Sequence, residues 1–186
     1  MIDVAIIGAT GYTGAELLSI LSRHPDINVK YATSSTQAGR AANDLFPELG
    51  DDCSINFSEF KNIDLHECEL VFFATPNGTA MNATVDLLKH NIKVIDLAAD
   101  FRIQDATLWE EWYGIKHACP ELLKEAVYGL PELNRKEIKH ASLIANPGCY
   151  PTAIILGILP LVKNQIINVE NIIADAKSGV SGAGRE

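Results

Sequence analysis

The chain has 186 residues, of which 47% are hydrophobic and 21% charged, as in a folded protein with one domain or one domain plus part of a second. Its 15 Lys and Arg against 24 Asp and Glu give a net charge of −9, which argues against nucleic acid or an anionic membrane as a partner. The longest apolar run is about a dozen residues, where a membrane span needs about 20. Without a signal or transit peptide at the N-terminus, we expect a cytoplasmic protein.

Strand and helix patterns alternate through the first two-thirds of the chain, which predicts an α/β fold with a doubly wound parallel sheet of Rossmann type. In chain order the predicted elements are strand 4–7, helix 15–21, strand 29–32, strand 70–74, helix 79–90, strand 94–97 and strand 142–145. The polar stretch 34–52 is long for a connection, and we expect it to contact ligand or a neighbouring subunit. Short helices and turns are predicted over 105–135, with Trp109 and Trp112 packed in the core.

The end of the sequence suggests a second domain. We predict a first domain over 1–146 and the beginning of a second domain over 147–186. A helix at 152–163 and a strand at 172–176 are predicted there. The sequence stops in a glycine-rich turn, so we expect a fragment of a longer protein.

A glycine-rich turn follows the first predicted strand and opens the first predicted helix. In that context, glycines permit a tight turn, backbone approach to a pyrophosphate and close packing of helix on strand. The spacing GxxGxxG departs from GxGxxG, so a single nucleotide or a purely structural turn remain alternatives. The dinucleotide site predicted here uses Gly8, Thr10, Gly11, Tyr12, Thr13 and Gly14.

The end of the second predicted strand favours NADP over NAD. A carboxylate usually holds the ribose 2′-hydroxyl of NAD at this position, but the sequence 32–36 is Ala-Thr-Ser-Ser-Thr. The hydroxyls of Ser34 and Ser35 and the guanidinium of Arg40 suit a 2′-phosphate instead. The alternative is that these hydroxyls only make turns.

Cys149 is the candidate nucleophile, because it lies between a predicted strand end and an apolar predicted helix whose N-terminus favours a thiolate. We expect Cys53, Cys68 and Cys119 to be structural thiols. No CxxC pair is present, and we expect no metal site. A thiolate beside a nicotinamide suggests acyl transfer through a thioester that hydride exchange connects to an aldehyde.

The segment 178–185 offers hydroxyls, backbone N–H groups and a guanidinium to an anion, unless it is a bare connector. We assign Ser178 and Gly179 to the cofactor, and Ser181 and Arg185 to the substrate.

None of the five histidines is expected to serve as the acid-base group. His24 and His90 lie near predicted helix C-termini, and His66, His117 and His140 lie in polar surface contexts.

Five motifs in this order resemble the N-acetyl-gamma-glutamyl-phosphate reductase family, which is related to aspartate-semialdehyde dehydrogenase. The resemblance covers essentially the whole chain. The motifs are GATGYTGAE (8–16), DLAADFR (96–102), YGLPELNR (128–135), NPGCYPT (146–152) and KSGVSGAGR (177–185).

The resemblance implies NADPH-dependent reduction of N-acetylglutamyl 5-phosphate to the 5-semialdehyde with release of phosphate, in arginine biosynthesis. Cys149 would carry the thioacyl group, and the protein would be a homo-oligomer, a dimer or tetramer. The resemblance also implies that residues 1–146 form the NADP-binding domain and that 147–186 begin an α+β catalytic and dimerisation domain that is truncated. The catalytic histidine and most of that substrate domain would follow residue 186, so we expect the fragment alone to be inactive.

Within the family signature, Arg102 would either pair with a substrate carboxylate or anchor a loop, and Asn146 is a weaker substrate-side candidate. Two alternatives stay open: a related semialdehyde dehydrogenase acting on an aminoadipyl or aspartyl phosphate, and a non-catalytic nucleotide-binding module.

Overall fold

The computed structural model describes residues 1–50 and 53–183. Seven strands form one parallel sheet in the order β3-β2-β1-β4-β5-β7-β6. Their bounds are β1 (Ile2–Ile7), β2 (Ile27–Thr33), β3 (Phe57–Ser58), β4 (Leu70–Phe73), β5 (Lys93–Asp96), β6 (Val127–Tyr128) and β7 (Leu143–Ala145). The strand order reverses between β1 and β4, and in such sheets ligands bind at the carboxyl ends of the strands beside this point.

Six α-helices and several 3-10 turns connect the strands in the described ranges. The helices are α1 (Tyr12–Leu21), α2 (Ala42–Leu45), α3 (Ala80–Lys89), α4 (Ala106–Tyr113), α5 (Pro131–His140) and α6 (Cys149–Lys163). No helix in this part of the chain is long and apolar enough to cross a membrane.

The sheet is buried on both faces, as the continuous apolar strands predict. Along β1, Ala5 and Ile7 belong to one hydrophobic cluster, while Val4 and Ile6 belong to the other. Successive side chains of a strand point to opposite faces, so one short run serves both clusters. The predicted doubly wound α/β architecture is confirmed.

The prediction that both tryptophans pack in the core is right for Trp109 and wrong for Trp112. Trp109 is fully buried, and its indole N–H donates to the Ala99 carbonyl at 2.8 Å. Trp112 is 74% exposed. The short α4 presents one narrow face to the core, and Trp112 lies outside it.

The prediction of a surface position for His117 is also wrong. Its ring is buried, with Nε2 donating to the Asp100 carbonyl at 2.8 Å and Nδ1 accepting from the Cys119 amide at 3.2 Å. The rings of Phe101 and Trp109 lie edge-on to it. Long-range packing therefore overrides the polar local sequence.

The strand predicted at 172–176 does not form, and Ile173 is 96% exposed. A strand needs a neighbour for its backbone groups, and none of the described strands pairs with this segment. In the opposite direction, β3 and β6 were not predicted, because two-residue strands show no periodicity.

Candidate active site

A cleft of about 1770 Å³ opens at the carboxyl ends of the central strands. The predicted site residues that line it are Gly8, Thr10, Gly11, Tyr12, Thr13, Ser34, Ser35, Arg102, Asn146, Cys149 and Ser181. Gly14, Arg40, Ser178 and Gly179 are not among the lining residues. The predicted residue Arg185 lies outside the described residues.

The three glycines of the turn after β1 have different structural roles. Gly8 has φ +85, and a Cβ there would overlap the Ala74 carbonyl oxygen. A Cβ at Gly14 would lie 2.7 Å from the Ala9 Cα, so α1 can pack closely on the turn only with glycine there. At Gly11, the nearest atom to an added Cβ would be the Gly8 oxygen at 3.7 Å, an ordinary contact. The fold thus requires the first and last glycines, while Gly11 leaves backbone open toward the cleft.

The hydroxyls at the end of β2 hold the turn together. Thr33 Oγ1 accepts from the Gly8 amide at 3.1 Å, and Ser34 Oγ lies 3.0 Å from Thr10 Oγ1. Ser34 Oγ also accepts from the amides of Thr36 and Gln37, at 3.3 and 3.2 Å. The turn-making alternative therefore describes Ser34 well, whereas the neighbouring Ser35 is exposed at the cleft.

Two cations lie near this end of the cleft. The Arg40 guanidinium donates to Gln37 Oε1 at 3.2 Å and to the Asp44 carbonyl at 3.1 Å. Lys61, which is not among the site residues predicted from the sequence, lines the cleft and pairs with Glu59 at 2.7 Å. It follows β3, whose pairing with β2 could not be foreseen from a two-residue strand.

Thr75 supplies the buried side-chain oxygen that has no hydrogen-bond partner among the described residues. It follows β4, lines the cleft, and its methyl group would lie 3.3 Å from a Cβ at Gly8. A buried hydroxyl without a partner costs about 1–3 kcal/mol, so this position favours a ligand that completes its hydrogen bonding. Thr75 is not among the site residues predicted from the sequence, although its place close after a buried strand was a usable signal.

Asp96 and Asp100 are fully buried and shape the loop after β5. Asp96 accepts from the amides of Ala98 and Asp100, both at 3.0 Å, while Asp100 accepts from those of Gly78 and Met81, at 2.7 and 3.0 Å. Asp100 thereby fixes the start of α3 beside the cleft. Burial and the neighbouring Asp100 carboxylate raise the pKa of Asp96 to about 7.

Arg102 joins two strand-end loops. Its Nε donates to the Asn146 carbonyl and its Nη2 to the Leu97 carbonyl, both at 2.7 Å. The Asn146 amide donates to the Asp96 carbonyl at 2.8 Å, and its side chain donates to the Pro147 carbonyl at 3.1 Å. These bonds favour the loop-anchor alternative for Arg102, and substrate contact by Arg102 and Asn146 remains a prediction.

Cys149 is the first residue of α6, and it is exposed at the cleft. Thr152 fixes this helix start, because its amide and hydroxyl both donate to the Gly148 carbonyl, at 3.0 and 2.8 Å. In contrast, Cys68 and Cys119 are buried, and burial raises their pKa to about 11 and about 12. Unlike these two thiols, Cys149 combines access to solvent with a helix N-terminus, a setting in which reactive cysteines are found.

The glycine-rich end of the chain reaches the cleft through Ser181 and Gly182. The Ser178 hydroxyl instead donates to the Gly179 carbonyl at 3.0 Å. The cleft therefore holds a glycine turn, an orphaned hydroxyl and an exposed thiol at a helix start, a combination that can bind a dinucleotide and present a nucleophile beside it.

Two family models match the chain, one described as the NAD binding domain of semialdehyde dehydrogenase over residues 3–141 and one as its dimerisation domain over 149–186. The curated relatives include N-acetyl-gamma-glutamyl-phosphate reductases from Nitrosospira multiformis, 56% identical over 185 residues, and Acinetobacter baumannii, 57% identical over 189 residues. Both alignments cover 100% of this chain and 54% of the relative, so the chain spans about half the length of these relatives.

Solved structures share the fold at low identity. Aspartate semialdehyde dehydrogenase II from Vibrio cholerae aligns with a TM-score of 0.62 and 17% identity, over 88% of this chain and 43% of that chain. A complex of aspartate semialdehyde dehydrogenase with NADP from Candida albicans aligns with a TM-score of 0.58 and 16% identity, over 88% and 47%. The chain thus contains a domain that binds a nicotinamide dinucleotide, and it belongs to the semialdehyde dehydrogenase family.

Proposed function

We propose that this chain is the cofactor-binding and nucleophile-bearing part of an NADPH-dependent reductase that converts N-acetylglutamyl 5-phosphate to N-acetylglutamate 5-semialdehyde and phosphate in arginine biosynthesis. The observation that carries the proposal is that the exposed Cys149 thiol opens into the same cleft as the glycine turn. The names of relatives that are 55–57% identical over the chain support this substrate.

Cys149 would act on the acyl phosphate. Its thiolate attacks the acyl carbon, a C–S bond forms, the C–O bond to phosphate breaks, and inorganic phosphate leaves with the electron pair. The start of α6 favours the negative charge on sulfur before attack and on the returning thiolate after product release. When bound, the reduced cofactor supplies the hydride that turns the thioester into an aldehyde.

The residues of this chain that would hold the cofactor lie along the cleft. The backbone of Gly11 and the start of α1 would face the pyrophosphate, since no protein atom crowds an added Cβ at Gly11. Thr10, Tyr12, Thr13 and Thr75 would complete the polar contacts. On the substrate side, we propose Asn146, Ser181 and Arg185, with Arg102 holding the loop that carries Asn146.

For NADP over NAD, the support is the absence of a carboxylate in the sequence 33–36 at the end of β2, together with Ser35 and Lys61 at the cleft and Arg40 nearby. Ser178 and Gly179 remain proposed cofactor contacts.

The proposal also includes a second domain that begins at residue 147, a homo-oligomer, dimer or tetramer, and a cytoplasmic location. The dimerisation-domain model that matches 149–186 supports the oligomer. We expect the 186-residue chain alone to be inactive, because it spans 54% of the length of its relatives.

The competing function is reduction of an aspartyl or aminoadipyl phosphate by a protein of the same fold. The fold that this chain shares with aspartate semialdehyde dehydrogenases is the reason to test it.

The test of the nucleophile is Cys149→Ser in a protein of the relatives' full length. We expect turnover to fall at least about a thousandfold, because a serine hydroxyl is far less acidic than a thiol and is a much weaker nucleophile. Binding of NADP, measured by fluorescence titration, should change less than about twofold, since a hydroxyl replaces one sulfur atom outside the glycine turn. Cys53→Ser is the matched control and should retain turnover. Retained turnover in Cys149→Ser would contradict the assignment.

A further inference from the structure

A second cluster of polar side chains lies away from the cleft. His66 belongs to the 3-10 turn Leu65–Glu67, which precedes β4, and Asp86 and His90 lie at the end of α3. These positions are at the amino edge of the sheet, opposite the carboxyl edge where the cleft opens. None of the three residues lines that cleft.

The three side chains converge. Each offers one ligand atom, and these atoms lie within 4.8 Å of one another. His66 Nε2 is 2.9 Å from Asp86 Oδ2, and the rings of His66 and His90 have centroids 4.3 Å apart. Asp86 and His90 are spaced i, i+4, which places them on one face of α3.

Asp64 orients the His66 ring from behind, because its Oδ1 lies 3.1 Å from His66 Nδ1 and also accepts from the His66 amide at 3.0 Å. With Nδ1–H donating to Asp64, the lone pair of a neutral His66 at Nε2 points at the Asp86 carboxylate. In this tautomer the two facing atoms, His66 Nε2 and Asp86 Oδ2, are both electron-pair donors of the kind that bind a metal ion.

We propose that His66, Asp86 and His90 form a surface binding site for a divalent transition metal ion of the zinc type. Metal–nitrogen and metal–oxygen bonds of about 2.0–2.2 Å in a tetrahedron place ligand atoms about 3.3 Å apart. The ligand atoms of the three residues lie between 2.9 Å and 4.8 Å apart, a range that includes 3.3 Å. Because the side chains are exposed, rotation about their bonds can bring these atoms to the distances that the metal requires.

Two further features fit such a site. The carboxylate of Asp64 on the second ring nitrogen of His66 is the outer partner that metal-bound histidines usually have. Three protein ligands on an exposed surface leave the fourth position to water. The ion would tie the turn before β4 to the last turn of α3, so its binding stabilises the folded chain by mass action.

The test is a titration of the 186-residue chain with ZnCl₂ near pH 7.5, in a Cys149→Ser background that removes the exposed thiol as a competing ligand. We expect one saturable site by calorimetry and a rise in Tm with zinc. His66→Gln and His90→Gln should each weaken zinc binding at least tenfold, while the matched control His140→Gln, a surface histidine outside the cluster, should leave it unchanged.

Two further measurements, one at lower pH and one with magnesium, complete the test. Zinc binding should weaken at pH 5.5, because protons compete with a metal ion for its ligand atoms. MgCl₂ should not replace zinc, because magnesium prefers oxygen ligands. Absence of zinc binding, or binding that survives both His66→Gln and His90→Gln, would overturn the proposal. Since none of these measurements uses the cleft, they are independent of the proposed reductase activity.

Discussion

Two polar residues at neighbouring strand ends, Cys149 and Asp96, have opposite environments. Cys149 is exposed at a helix start, whereas Asp96 is fully buried and accepts two backbone hydrogen bonds. Exposure makes Cys149 available for chemistry. Burial makes Asp96 a structural group whose ionisation is coupled to folding.

Asp96 should make the free energy of unfolding depend on pH. Its pKa is about 7 in the folded chain against an ordinary 3.8, so between these values the folded state keeps a proton that the unfolded state releases. The free energy of unfolding should therefore fall as the pH rises from about 4 to about 7, by up to about 4 kcal/mol from this group, and stay level above.

The measurement is denaturant unfolding at pH 5 and pH 8. Asp96→Asn should lose this part of the pH dependence, while the exposed control Asp44→Asn should keep it. A carboxyl carbon of Asp96 that titrates near 3.8 by NMR would contradict the assignment.

The proposed preference for NADP over NAD depends on single side chains near the end of β2. Arg40→Ala should weaken NADP several-fold more than NAD, because a guanidinium–phosphate contact is charge-assisted and NAD lacks that phosphate. Lys61→Ala, which removes the cation that lines the cleft, is the matched comparison. Fluorescence titration of both cofactors is the measurement. Equal losses for NADP and NAD in both variants would contradict the NADP assignment.

At the scale of elements, the loops after β1, β4, β5 and β7 line the cleft and are held by hydrogen bonds that are partly or fully buried. Thr33 holds the turn after β1, Asp100 holds the start of α3, and Arg102 joins the loops after β5 and β7. The start of α6, and with it Cys149, is therefore positioned by contacts that come from β5. This arrangement holds Cys149 at the same cleft as the glycine turn.

Two glycines of the turn have different expected effects, one on the stability of the fold and the other on binding of the dinucleotide. Gly14→Ala should lower the free energy of unfolding by several kcal/mol, because its Cβ would lie 2.7 Å from the Ala9 Cα and collide with backbone. Gly11→Ala should preserve folding, since its Cβ meets protein only at 3.7 Å, yet weaken the dinucleotide at least tenfold. Thermal unfolding and cofactor titration distinguish the two, and unchanged cofactor affinity in Gly11→Ala would count against the cleft as the pyrophosphate site.

Sequence patterns predicted the elements whose signals are local. Gly8 and Cys149 stand next to a buried strand and an apolar helix, so their positions followed from neighbours in the chain. The burial of His117, the exposure of Trp112 and the approach of Lys61 to the cleft depend on contacts between distant segments, which periodicity does not encode. The contact between His66 and Asp86, which are 20 residues apart in sequence, also could not be predicted from local patterns.

At the scale of the whole molecule, the sheet order brings the glycine turn and Cys149 to one edge although they are more than a hundred residues apart in sequence. The helix α6 is strongly apolar, yet none of its 15 residues is buried. The relatives are nearly twice as long as this chain, so substrate selection in the proposed enzyme draws on residues beyond those described.

The reductase activity proposed for this chain is tested most directly by an assay of the reverse reaction with a protein of the relatives' full length. NADPH formation is followed from N-acetylglutamate 5-semialdehyde plus phosphate, with the aspartate and N-acetylaminoadipate semialdehydes in parallel. We expect selective turnover of N-acetylglutamate 5-semialdehyde. Turnover of another semialdehyde in preference, or failure with all three while NADP still binds, would contradict the proposal.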